Sequence, residues 1–308
     1  MTAGCSRRHA LAAFLGAFPG VACPAADGLP PLRIAISETM IEDVNLNDAR
    51  AAMQTWIKRL QSDLGVAIEM DPKVFSTTDD IVRRIRAGQL DSAALNVVEY
   101  QPIANLFDPT GLLVGTGASG PDQYVVLVKR AAEFKSLSNL RGRRLNVLKS
   151  PKMCVAPAWL ATLLGEEQLG PADGFFGSMV SDAKVSRVVL PVFFDQAEAC
   201  LTSRRGFETM CELNPQVGRT LAAIASSPVL VTCFYAFRKN YQSPTRERFI
   251  DSHRTLLASV AGRQIATLFQ FDELRVADAS CLDGGLRILE KAERIAAKPL
   301  AGSRVSKL

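Results

Sequence analysis

Five consecutive residues, Ser150-Pro151-Lys152-Met153-Cys154, carry the side chains of this sequence best suited to meeting a small anion. Serine followed by proline reads as a helix start, with the serine as cap and the proline at the first helical position. A helix start offers unpaired N–H donors and a partial positive charge. Lys152 would add a full charge within that first turn, which disfavours the helix unless an anion compensates, and broken local rules tend to mark functional sites. Cys154 has the chemistry of a nucleophile, but no base partner is visible for it. The two histidines, His9 and His253, are too few for a zinc site, and no CxxC or Cys/His spacing exists. His253 falls in a helical segment, Phe249–Val260, and reads as solvated. Neither a GxxxxGK[ST] nor a GxGxxG motif is found. The expectation is therefore a binding protein rather than an enzyme, with no cofactor and no metal.

Ligands of open α/β sheets gather at the carboxyl ends of strands, so the loops that follow strands supply the other candidates. From these we take Ser37, Met40, Asn96, Tyr100, Ser150, Lys152 and Cys154 as candidate ligand contacts. Thr77 and Asp195 read as helix caps, Glu38 would repel an anion unless protonated or paired, and Arg204-Arg205-Gly206-Phe207-Glu208 reads as an exposed helix end.

The elements that must position these residues alternate strand and helix. Leu32–Ser37 reads as a strand buried on both faces. Asn47 is a candidate cap for a helix with apolar residues at Ala49, Ala52, Met53, Trp56, Ile57, Leu60 and Leu64, stopped by Gly65. Thr77 with Asp80 resembles a capping box, Gly88 ends that helix, and Leu90–Leu95 leads into another strand. The glycine-rich run Gly111–Asp122 reads as a crossing into a second lobe, followed by strands at Tyr124–Val128 and Leu145–Leu148 and a helix through Trp159–Leu164. Val188–Phe193 reads as a strand, Asp195 as the start of a helix bearing Ala197, Cys200 and Leu201, and Val229–Phe237 as a strand crossing back. Ser243-Pro244 caps a helix. The order predicts an α/β protein of two lobes with a cleft and hinge between them: 32–120 with 236–300 as lobe one, 121–235 as lobe two.

The bulk properties restrict the partners. The net charge of +5 is spread thinly, without basic runs or an interleaved aromatic stripe, which argues against nucleic acid. Arg7-Arg8-His9, the apolar run Ala10–Ala22 and the small residues Cys23-Pro24-Ala25-Ala26 read as an export signal over 1–26. Removing Arg7 and Arg8 with it leaves +3. Cys23 after Gly20-Val21-Ala22 is a weaker candidate for lipid anchoring, and the terminal Ser306-Lys307-Leu308 matches a peroxisomal address by coincidence. Beyond Cys5 and Cys23, the cysteines at 154, 200, 211, 233 and 281 read as small buried hydrophobes, with at most two pairs possible.

Several segments resemble a known family in order and spacing. They are Leu32–Ser37 (LRIAIS), Gly88-Gln89-Leu90-Asp91-Ser92-Ala93 leading to Tyr100, Val126-Leu127-Val128-Lys129, and Ser136-Leu137-Ser138-Asn139-Leu140-Arg141-Gly142-Arg143. Over residues 32–270 the chain resembles the phosphate/phosphite/phosphonate-binding proteins of ABC transporters. The resemblance implies a type 2 periplasmic-binding-protein fold, a small anionic ligand, a membrane permease as partner, a monomer and a periplasmic location. An exported sensory module on the same clamshell is the alternative, and an enzyme using Cys154 a third. Phosphonate binders of the family carry a Ser-Thr-Ser-Gly run at a helix N-terminus; here Ser150 alone matches it, with proline and lysine following.

Overall fold

The computed structural model describes residues 30–41, 44–65, 67–117 and 120–297, apart from the side chains of 70–75. The export segment, including Cys23, and the Ser306–Leu308 tail lie outside the described residues. In chain order the elements are β1 (Leu32–Ser37), α1 (Leu46–Leu64), β2 (Ile68–Ser76), α2 (Thr78–Arg86), β3 (Ser92–Asn96), α3 (Val97–Tyr100) and β4 (Leu112–Thr116). There follow β5 (Tyr124–Lys129), β6 (Arg144–Leu148), α4 (Ala156–Glu166), α5 (Ala172–Phe175), β7 (Ser178–Asp182), α6 (Val185–Phe193), β8 (Ala199–Ser203), α7 (Arg204–Leu213), α8 (Pro215–Thr220) and β9 (Leu221–Ser226). The chain then runs through β10 (Cys233–Phe237), α9 (Pro244–Leu256), α10 (Val260–Leu268), β11 (Glu273–Ala277) and α11 (Asp283–Ala296).

Two mixed sheets result. The first has the order β11-β4-β10-β3-β1-β2 and the second β7-β6-β8-β5-β9. We call the body around each sheet lobe one and lobe two. β1 runs parallel to β2 and β3, while β10 lies antiparallel between β3 and β4. In β1 the side chains alternate as a pleat requires: Leu32, Ile34 and Ile36 join the apolar clusters on one face of the sheet, and Ala35 joins the core on the other. α1 covers the first face with Ala49, Met53, Ile57 and Leu60, all buried at helical spacing. Its cap is Asn45 rather than Asn47: the Asn45 side chain accepts from the N–H groups of Asn47 and Asp48. Gly65 ends α1 at φ 63, in the left-handed region open to glycine.

Two of the recognisable motifs turn out to be structural devices. Asp91, 2% exposed at its side chain, accepts from Arg33 Nε at 2.8 Å and Nη2 at 2.7 Å, and from Arg238 Nε at 3.2 Å. It thereby ties β1 to the end of β10 across β3. Burial pushes its carboxyl up, but the hydrogen bonds from Arg33 and Arg238 outweigh this and hold it below the usual carboxylate range. In Ser136–Arg143, Leu137 and Leu140 are buried in a 3-10 turn, and Asn139 Oδ1 accepts from the Ser136 N–H at 3.1 Å. Gly142 then turns the chain at φ 72 into β6.

Three sequence expectations change. The glycine-rich segment contains a buried strand, β4, and the crossing begins only after it. Val188–Phe193 is helical, as part of α6, and the segment expected to be a helix after Asp195 contains β8. The β-branched run pointed to a strand, yet Val188, Val189 and Val192 bury one face of a helix, with Pro191 inside it. β8 lies between β5 and β6, with Ala199, Cys200, Leu201 and Thr202 all buried. The return strand is Cys233–Phe237, so residues 233–235 pair within the first sheet. Cys154, Cys200, Cys211, Cys233 and Cys281 are free thiols.

Two segments join the sheets, residues 117–123 and 227–232. They pair with each other: the Asp122 N–H donates to the Leu230 carbonyl at 3.0 Å, and the Leu230 N–H donates back to the Asp122 carbonyl at 2.7 Å. Among the described residues no helix is long and apolar enough to cross a membrane.

Candidate functional site

A cavity of about 240 Å³ opens where the carboxyl ends of β6 and β8 meet the first lobe. Strand ends deliver its walls: Leu148 closes β6, Ser203 closes β8, and Ala183 and Val185 lead from β7 into α6. Two cations line it, Lys152 and Arg205, together with the hydroxyl residues Ser150, Ser203 and Thr209, the acid Asp122, and Gln270 from lobe one. This is the position where an open α/β sheet collects ligands.

Each cation is held by a nearby group. Tyr124, fully buried on β5, donates its phenol to the Lys152 carbonyl at 2.7 Å and so fixes the turn that carries the lysine. Lys152 Nζ lies 3.6 Å from Asp122 Oδ1, and Thr232 Oγ1 donates to Asp122 Oδ2 at 3.3 Å. Burial pushes the Asp122 carboxyl above its usual range, while the charge of Lys152 pulls it part of the way back. Arg205 stands in the first turn of α7, where Ser203 Oγ accepts from the Gly206 N–H at 3.1 Å. Its guanidinium bridges the lobes to Asp272 and lies against Gly117 of the first crossing, where a Cβ would come within 2.5 Å of Nη1. Gln270 adopts the left-handed conformation at φ 54, uncommon for a residue with a side chain, beside the cavity it lines.

The structure divides the sequence-predicted residues. Ser150 and Lys152 line this cavity together. Ser150 precedes, and Lys152 stands within, a three-residue 3-10 turn, Pro151–Met153; the α-helix starts only at Ala156. Lys152 is therefore outside the first turn of α4, and Asp122 is its counterion. Ser37 and Asn96 meet elsewhere, in a polar cluster at the ends of β1 and β3. There the Ser37 hydroxyl donates to Glu99 Oε1, as does Thr78 Oγ1 at 2.8 Å, and Asn96 Nδ2 donates to Thr39 Oγ1 at 2.9 Å. Asn96 also caps α3. Tyr100 is buried, with its ring against Phe107 and Phe234. Met40 lines a separate apolar cavity inside lobe one, as does His253, which is half-buried rather than solvated. Cys154 lies where the lobes touch, its thiol 3.9 Å from the Thr232 carbonyl, and burial pushes that thiol up to about 12. Such a thiol is protonated at neutral pH and lacks the activation a nucleophile needs.

Asp122, Ser203, Thr209 and Gln270 were not among the sequence candidates, and Arg205, read there as part of an exposed helix end, lines the cavity. A correct strand at 199–203 would have made the following Arg205 a strand-end residue; nothing local marks Gln270.

The sequence matches a family described as ABC transporter, phosphonate, periplasmic substrate-binding protein over residues 39–282, well over half its length. The chain belongs to this family. Membership implies a small-molecule ligand, a membrane permease as partner and a place outside the cytoplasm. Among curated proteins none matches the chain. Solved structures give the fold. A binding protein component of a phosphonate ABC transporter from Pseudomonas aeruginosa aligns at TM-score 0.55 and 14% identity, covering 87% of this chain and 88% of that one. A Prochlorococcus marinus protein solved with methylphosphonate aligns at TM-score 0.54 and 15% identity, covering 87% and 98%. A Xanthomonas citri protein solved with ATP aligns at TM-score 0.57 and 13% identity, covering 86% and 98%. The fold of this family member is the type 2 periplasmic-binding-protein fold, two α/β lobes with a ligand cleft between them.

Proposed function

We propose that this protein captures a small anion of the phosphate or phosphonate class in the cleft and presents it, as a monomer in the periplasm, to the permease of an ABC transporter. One observation carries the reading: Lys152 and Arg205 converge with the hydroxyl residues Ser150, Ser203 and Thr209 on one cavity between the lobes. Two cations and several hydroxyls suit an oxyanion, because charge-assisted hydrogen bonds are the stronger ones. Family membership and the methylphosphonate held by the Prochlorococcus relative support it. The hinge ladder at Asp122 and Leu230 lies beside the cavity, so a ligand touching both lobes would favour the closed arrangement. Of the residues expected from sequence, Ser150 and Lys152 are assigned to the ligand; Ser37 and Asn96 are assigned, with Glu99, to the polar cluster that joins the ends of β1 and β3.

The test is calorimetric titration of the mature chain with phosphate, methylphosphonate, sulfate and arginine, with thermal shifts in parallel. Saturable binding and stabilisation by phosphate or methylphosphonate are expected. Binding of arginine alone would assign the cleft to another ligand class.

A further inference from the structure

Lobe one contains a second cavity, of about 110 Å³, between the first sheet and helices α1, α9 and α10. Its wall includes Ile34, Met53, Trp56, Tyr235, Leu256 and Phe271. The core on this face of the sheet is split into two apolar clusters, one holding Ile34 and Phe249, the other Ile36, Met53 and Ile265. Trp56, Tyr235 and Leu274 pack against both, and all three line the cavity. Protein cores ordinarily pack to the density of organic crystals, with few voids. An apolar void of roughly 150 Å³ stays dry and takes up benzene, so this one is of the size for a ring or short chain.

The cavity abuts the cleft. Among the described residues Lys152 alone lines both cavities, and its ammonium lies beside Asp122 on the cleft side. The turn at Gln270-Phe271 also separates them: Gln270 lines the cleft cavity and Phe271 the apolar one. The indole N–H of Trp56 is buried without a hydrogen-bond partner.

We propose that the ligand is an amphipathic anion, its oxyanion head held in the cleft and an apolar substituent passing the Lys152 stem into the lobe-one cavity. This rests on the cleft reading above and narrows it from anions in general to organic phosphonates or phosphates carrying an aryl or short alkyl group. The lysine suits the junction because its stem is apolar and its tip is charged.

The experiment compares methylphosphonate with phenylphosphonate by calorimetry on the mature chain. Phenylphosphonate is expected to bind roughly tenfold or more tightly, from the apolar area its ring buries, and to change the emission of Trp56. Filling the cavity by Ala94→Leu on β3, or by Ile265→Phe on α10 should the first variant fold poorly, is expected to abolish that advantage and leave methylphosphonate binding unchanged. Equal affinities for the two ligands, or an advantage that survives both filling variants, would overturn the inference while the cleft reading stands. Failure of both phosphonates to bind would overturn this inference, and failure of phosphate as well would remove the cleft reading.

Discussion

Replacing Lys152 by methionine removes one charge from the cleft and keeps most of the stem. Lys152 Nζ stands 3.6 Å from Asp122 Oδ1, and the two side chains are 13% and 14% exposed. At that separation unit charges interact by about 4–5 kcal/mol at an effective dielectric near 20. Truncating one partner of a largely desolvated pair costs about 2–5 kcal/mol. An oxyanion bound against the ammonium should lose a comparable amount, because the variant removes its attraction and leaves Asp122 facing it. Lys152→Met is thus expected to weaken phosphate or phosphonate binding by about 3 kcal/mol, on the order of a hundredfold in Kd. Asp122→Asn keeps an oxygen for the Thr232 hydroxyl and removes the repulsion, so affinity should rise. The double variant should recover a large part of the loss, and a calorimetric double-mutant cycle measures the coupling. Lys152→Met titrating like the wild type, or Asp122→Asn weakening binding as much as Lys152→Met, would refute the assignment. The same acid has a stability signature. Its folded-state pKa is raised, so between the ordinary carboxylate range and that raised value the folded protein holds a proton the unfolded chain lacks. Stability from this group therefore rises as pH falls through that window, and Asp122→Asn should remove the rise.

Four further outcomes follow from the same structure. Asp91→Ala should destabilise the protein by roughly 1–3 kcal/mol in denaturant unfolding, because Arg33 and Arg238 lose their shared carboxylate but, at 31% and 28% exposed, stay partly hydrated. Asp91 titrates in the opposite sense to Asp122: its lowered pKa contributes stability that is complete above the unfolded value and lost as pH falls through the folded one, so Asp91→Asn should flatten the acid limb of the stability curve. Cys154, its thiol pushed up to about 12, should resist alkylation at pH 7 in the native state and react once unfolded, as mass spectrometry of a timed alkylation would report. Arg205→Ala breaks an interlobe bridge whose side chains are 43% and 42% exposed, so its stability cost should stay below about 1 kcal/mol, while small-angle scattering of the unliganded protein should show a more open arrangement.

Where a device is built from neighbouring residues, the sequence alone determined it. Thr77, Ser243 and Gly65 announce helix ends because a cap or a left-handed turn needs only the few residues around it, and each holds its expected place. The strands β1, β5 and β6 were legible from short apolar runs, and the ordered motifs gave the family. Ser150 and Lys152 were legible as residues of one loop. Only the tertiary structure decided what opposes them. Whether 188–193 coils and 199–203 extends depends on which segment fills the slot between β5 and β6, a contest settled by burial across the whole sheet rather than by local preference. That exchange hid Arg205, because a residue after a strand and a residue within a helix imply different places. The counterion of Lys152 comes from the hinge at Asp122, 30 residues earlier, and Gln270 reaches the cavity from the other lobe. Asp91 meets Arg238 only because the chain returns to lobe one as β10, antiparallel to β3. Contacts of this kind follow from sheet order and lobe closure, which no short window of sequence contains.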